Sequence, residues 1–152
     1  MARLGPDNVP VTHDLERFVV EQERVYPAVL RELGAGRKTS HWMWFIFPQV
    51  AGLGSSSMSR RFAIASLDEA REFLANPVLG ARLHECAGLV LATKGRRAEE
   101  ILGAIDAMKL RSSMTLFHRA APNERVFAAV IDRFYAGVAD PATDELLAAA
   151  GG

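Results

Sequence analysis

The most unusual stretch of the sequence is residues 37–49, where cations, hydroxyl groups and aromatic rings occur together. The side chains that could bind a ligand or take part in a reaction are Arg37, Lys38, Ser40, His41, Trp42 and Trp44. If a helix begins just after Ser40, its free amide groups and the positive end of its dipole attract an anion. The two cations neutralise that anion, and an indole ring stacks on a planar group. The stretch therefore predicts a binding domain for a phosphorylated small molecule such as a nucleotide derivative. With His41 as general acid or base, the protein could also be a hydrolase or transferase.

A second unusual stretch, residues 106–118, combines cations with hydroxyl groups inside a predicted helix. Serine and threonine are mediocre helix formers, so three of them within four positions indicate a helix start, close helix packing or a polar site. We expect Lys109, Arg111 and Ser112 to bind the same anion as the first stretch, although some seventy residues separate the two in sequence.

Both stretches also have a purely structural explanation. The aromatic rings of the first can fill the core, while Arg37 and Lys38 simply follow the end of a helix. In the second, Arg111 can pair with a carboxylate such as Asp106 or Glu21. This alternative describes a non-catalytic interaction or scaffold protein, in which the cations are ion-paired and inaccessible.

Other motifs carry little functional signal. Gly52-Leu53-Gly54 does not follow a strand and lacks the rest of a dinucleotide-binding fingerprint, so it predicts a loop and no cofactor. The four histidines do not have the spacing of metal ligands, and no metal site is predicted.

Composition excludes several classes of protein. The 152 residues are 49% hydrophobic and 24% charged, which is typical of one globular domain. Eighteen basic residues balance eighteen acidic ones, so we expect neither nucleic acid nor a membrane as partner. A single cysteine and the absence of an apolar leader or long apolar run predict a cytoplasmic protein. The sequence does not indicate an oligomeric state.

The periodicity of apolar residues predicts an all-α, multihelical single domain over residues 13–150, preceded by a flexible tail over residues 1–12. Pro27 is expected to kink or divide the first helix. Five helix starts are predicted from residues that commonly cap helices: Asp14, Ser66, Asn76, Asn123 and Asp140.

The two unusual stretches carry a resemblance to a known family. The matching strings are residues 36–49, Gly52-Leu53-Gly54, residues 76–80 with Arg82-Leu83, Gly103, Asp106, residues 109–117, and Asp140 with Thr143. They resemble the bacterial domain-of-unknown-function family 1810 over about residues 14–147. The resemblance implies a compact all-helical domain and no established activity. Members often carry the name calpastatin, a disordered protease inhibitor, which this periodic and hydrophobic sequence contradicts.

Cys86 lies on an apolar stripe with Leu83, Ala87 and Val90, which predicts a buried thiol. We expect a thiol reagent to modify the native protein far more slowly than the chain unfolded in guanidinium. Equal rates of modification in the two states would show that the Cys86 thiol is exposed in the native protein.

Overall fold

The computed structural model describes residues 13–151, so the predicted tail over residues 1–12 lies outside the described residues. Helices hold 68% of the described residues and strand 1%, which confirms the all-α prediction. The helices of the described range are α1 Glu16–Gly34, α2 Met43–Ile46, α3 Ser57–Arg61, α4 Leu67–Ala75, α5 Pro77–Ala92, α6 Ala98–Leu102, α7 Ala104–Ala120, α8 Arg125–Phe134 and α9 Pro141–Ala149. An isolated bridge joins Val50 to Ile64 beside α3.

Three of the predicted helix caps are confirmed. The side chain of Ser66 accepts a hydrogen bond from the backbone N–H of Glu69 at the start of α4. The side chain of Asn76 accepts two at the start of α5, and Asp140 accepts one at the start of α9. In the last two cases proline occupies the first helical position, where its missing N–H costs nothing.

Two predicted caps are wrong. Helix α1 begins at Glu16 after Leu15, and α8 begins at Arg125 after Glu124, so Asp14 and Asn123 each lie one residue outside the cap position. Neither of these two helices has a side-chain cap, so the hydrogen bond from a backbone N–H to a capping side chain, on which the prediction relied, is not formed. Pro27 does not divide α1, which is continuous over 19 residues.

Aromatic rings connect the helices through the core. Phe18 of α1 packs against Phe73 of α4, with ring centroids 5.1 Å apart. Phe73 lies 5.3 Å from Phe117 of α7, and Phe117 lies 5.9 Å from Phe127 of α8. All four rings are completely buried, so this row of contacts holds α4 and α7 between α1 and α8.

Helix α5 lies against α1, α4 and α8, and its buried face includes Cys86. Cys86 is fully buried, as its position on the apolar stripe predicts, and burial raises the pKa of its thiol to about 12. In the described part of the chain, no helix is long and apolar enough to cross a membrane.

Two glycines of α5 provide a matched test of helix packing. A Cβ atom at Gly80 would lie 2.2 Å from the backbone carbonyl oxygen of Leu74, whereas one at Gly88 would meet nothing within 4 Å. We expect Gly80→Ala to lower the free energy of unfolding by about 1–3 kcal/mol because α4 must move. Gly88→Ala should raise it by up to about 1 kcal/mol, since alanine favours a helix. Chemical denaturation measures both, and similar effects of the two substitutions would contradict the close approach.

Candidate functional site

The first unusual stretch folds around a carboxylate of the protein itself. Glu32, near the end of α1, is 9% exposed. Its Oε1 atom accepts hydrogen bonds from the backbone N–H groups of Thr39 and Ser40 and from the indole N–H of Trp42, at 2.7, 2.9 and 3.0 Å. Its Oε2 atom accepts a 2.5 Å hydrogen bond from the Ser40 hydroxyl. The Ser40 hydroxyl, which we expected to bind an external anion, therefore binds Glu32, together with the backbone amides of Thr39 and Ser40.

The electrostatics of Glu32 follow from these bonds. Burial by itself raises the pKa of a carboxyl group, but the donors from Ser40, Thr39 and Trp42 stabilise the charged form more strongly. They lower the pKa of Glu32 from 4.5 to about 2.

The helix that would present free amide groups to an anion does not begin directly after Ser40. Helix α2 starts at Met43 and is only four residues long.

The two unusual stretches meet in space through Asp106. Its Oδ2 atom lies 2.8 Å from the Nζ of Lys38, and its Oδ1 atom lies 3.6 Å from the Nζ of Lys109. Each lysine also lies over an indole ring: Lys38 is 5.1 Å from the ring centroid of Trp42, and Lys109 is 4.6 Å from that of Trp44. The side chain of Lys38 is 8% exposed, so its charge is held inside the protein by Asp106.

An open groove of about 510 Å³ lies beside this junction. Its walls come from the loop after α2, the first half of α7 and the start of α9, and they include Lys109, Arg111 and Ser112. Single residues of α3, α6 and the end of α8 complete the lining: Ser59, Glu99 and Tyr135. Trp44 lines an adjoining cavity of about 150 Å³, which shares Gln49 and the loop residues around Leu53 with the groove. The residues predicted for the site that line neither the groove nor the adjoining cavity are Arg37, Lys38, Ser40, His41 and Trp42.

Arg111 is held by backbone atoms of the segment before α9. Its Nε donates to the carbonyl oxygen of Val138 at 2.8 Å, and its Nη2 donates to that of Ala139 at 3.0 Å. The alternative pairing with Asp106 or Glu21 is wrong, since Asp106 binds the two lysines and Glu21 pairs with Arg24 and Arg61. Within residues 13–151, Arg111 has no carboxylate partner at ion-pair distance.

Hydroxyl groups of α7 fix the start of α9. Ser112 donates to Oδ2 of Asp140 at 2.8 Å, and Thr143 donates to the same oxygen at 2.6 Å. The hydroxyl of Thr115 donates to the carbonyl of Arg111 and accepts from the backbone N–H of Asp140. Of the three explanations for these hydroxyls, close helix packing therefore applies to Ser112 and Thr115.

The remaining predicted residues stand apart. Arg37 and His41 are exposed, and neither has an ion-pair partner among the residues that the structure describes. Over the same range, no group of three or more His, Cys, Asp and Glu side chains could hold a metal ion.

Comparison with known proteins places this architecture in a family. A family model described as a protein of unknown function (DUF1810) matches residues 12–147. The chain belongs to the DUF1810 family. A crystal structure of the conserved hypothetical protein Rv1873 from Mycobacterium tuberculosis is similar, with 52% identity and a TM-score of 0.88, covering 89% of this chain and 96% of that one. No curated protein shows a significant match.

Several residues that shape this DUF1810 site were missed from the sequence. Glu32 follows Val29 by three positions on the buried face of α1. A carboxylate on such a face indicates that hydrogen-bond donors or cations surround it in the interior. Gln49, Ile105 and Met108 line the groove, but no local pattern marks them. They come together only through packing of the α2 loop beside α7.

The hydrogen bonds to Glu32 make stability depend on pH. Because folding lowers the pKa of Glu32, its contribution is fully present above the ordinary value of 4.5 and is lost as the pH falls towards about 2. We expect Glu32→Gln to lower the free energy of unfolding at pH 7 by roughly 3 kcal/mol. The difference from the parent protein should shrink below pH 4.5.

A matched control lies on the same helix. Glu23 pairs with Arg82 and is 60% exposed, so Glu23→Gln should cost less than about 1 kcal/mol. Urea denaturation at several pH values measures both variants. A pH-independent difference for Glu32→Gln would contradict the lowered pKa.

Proposed function

We propose that the groove beside α7 binds a phosphorylated small molecule, such as a nucleotide derivative. Lys109 and Arg111 hold the anionic group, and Trp44 in the adjoining cavity stacks on a planar group. The observation that carries this proposal is that Arg111 lines the groove without a carboxylate partner in the described part of the chain.

The hydrogen bonds of Arg111 support this role. The carbonyls of Val138 and Ala139 occupy its Nε and Nη2 atoms and fix the plane of the guanidinium, but they do not cancel its charge. Its Nη1 atom makes no hydrogen bond to any described residue. A guanidinium that is oriented in advance loses less conformational entropy when it binds a phosphate oxygen.

The acidic side chains of the groove are already engaged. Asp140 accepts hydrogen bonds from Ser112, Thr143 and the backbone N–H of Ala142, so three neutral donors stabilise and orient its carboxylate, which keeps its charge. Glu99 is exposed and lies 3.8 Å from Arg97. Ser112 orients Asp140 through its proton, and this is the role that we assign to it. The groove volume falls within the range of small-molecule sites, about 300–1,000 Å³.

The proposal is for binding and assigns no reaction. His41, the predicted acid or base, is exposed and does not line the groove. The alternative of a non-catalytic interaction or scaffold protein is favoured by Lys38, whose buried pairing with Asp106 is what that interpretation predicts.

A thermal-shift titration tests the proposal. A phosphorylated compound at about 100 times its dissociation constant should add roughly 2.7 kcal/mol of stability, which raises the melting temperature by roughly 5–10 °C in a domain of this size. We expect Lys109→Met and Arg111→Gln each to remove most of this shift. Both substitutions keep part of the side chain that packs in the groove wall.

Arg125→Gln is the matched control, because Arg125 is exposed at the start of α8 and does not line the groove. It should leave the shift unchanged. If a broad panel of nucleotides and sugar phosphates gives no shift, or if Arg125→Gln reduces the shift as much as Arg111→Gln does, the groove is not the anion site.

A further inference from the structure

The groove has an apolar side that the binding of an anion alone does not explain. Ile105 and Met108, both in the first turns of α7, are each 72% exposed and line the groove. They are the most exposed large hydrophobic side chains of the described residues. Leu53, from the loop after α2, also lines the groove.

Single exposed hydrophobic residues are common on protein surfaces and need no explanation. Ile105 and Met108 differ because they lie three residues apart on one helix, where side chains share a face. They also border the same groove as Arg111, whose charge has no carboxylate partner in residues 13–151. Apolar surface and a cation without an ion-pair partner among the described residues, both in one concave site, together indicate a ligand that carries both kinds of group.

We propose that the ligand is an amphipathic anion: a phosphate monoester whose organic part is an alkyl or aryl group. The phosphate lies at Arg111 and Lys109, and the apolar part covers Ile105, Met108 and Leu53. This inference rests on the proposed function, and it narrows the ligand class. A sugar phosphate would place hydroxyl groups against apolar side chains that cannot accept or donate hydrogen bonds, which costs free energy of binding.

The test compares phosphates that differ only in the organic part: inorganic phosphate, ribose 5-phosphate, phenyl phosphate and hexyl phosphate. Isothermal titration calorimetry on the whole chain gives each dissociation constant. We expect hexyl and phenyl phosphate to bind at least tenfold more tightly than ribose 5-phosphate, because they remove apolar surface of the groove from water. Binding of all four should weaken in Arg111→Gln.

Variants of the apolar side separate the two parts of the ligand. Met108→Ser and Ile105→Ser should each raise the dissociation constant of hexyl phosphate roughly tenfold, which corresponds to about 1.4 kcal/mol. Neither substitution should change the dissociation constant of inorganic phosphate. Both side chains are exposed, so the folded state should survive the change. Val20→Ser is the matched control, since Val20 is 50% exposed on α1 and does not line the groove.

The outcomes distinguish this inference from the proposed function. Ribose 5-phosphate binding as tightly as hexyl phosphate, with both dependent on Arg111, would overturn the amphipathic ligand and leave the anion site in place. Failure of all four phosphates, and of the nucleotide panel, would overturn both. A dimer in sedimentation velocity that Met108→Ser dissociates would show that a second copy covers the apolar side, and would also overturn the inference.

Discussion

The structure depends on the burial of one carboxylate, that of Glu32. An ionised carboxylate in a protein interior costs several kcal/mol unless donors surround it. Here two backbone amides, one hydroxyl and one indole N–H satisfy it, and all of them come from residues 39–42. The turn after α1 therefore has a defined shape, because this path of the chain brings all four donors to Glu32.

This turn sets the position of the lysine that precedes it. The backbone N–H of Lys38 donates to the carbonyl oxygen of Ile101 at 2.7 Å, and its Nζ atom reaches Asp106. Asp106 also pairs with Lys109, which follows it by one turn of α7, and the Nζ atom of Lys109 lies over the ring of Trp44. A chain of hydrogen-bonding, cation–π and ionic contacts thus runs from Glu32 through Trp42, Lys38 and Asp106 to Lys109 at the groove. It determines where Lys109 lies, although Glu32 itself does not line the groove.

The helices could be predicted because their signals are local. Asn76 with Pro77, and Asp140 with Pro141, cap helices through bonds to residues two or three positions away. The contact between the two unusual stretches could be expected from their composition alone. Which of their residues are structural and which line the groove could not be predicted, because this depends on the carboxylate that each cation contacts. Glu32 and Asp106 take the donors of the first stretch, and those pairings join α1 to the loop before α2 and that loop to α7.

Lys38 and Arg111 show how two cations of similar appearance in a sequence come to differ. Lys38 meets the carboxylate of Asp106 at 2.8 Å, so its charge is cancelled and its side chain is buried. Arg111 meets two carbonyl oxygens, which are dipoles: they orient the guanidinium but leave a full positive charge at the groove. A cation neutralised by a carboxylate holds helices together. A cation held only by dipoles keeps its attraction for an anion, and on this physical ground Arg111 is the main binding residue. Lys109 assists it, because Lys109 shares the single carboxylate of Asp106 with Lys38.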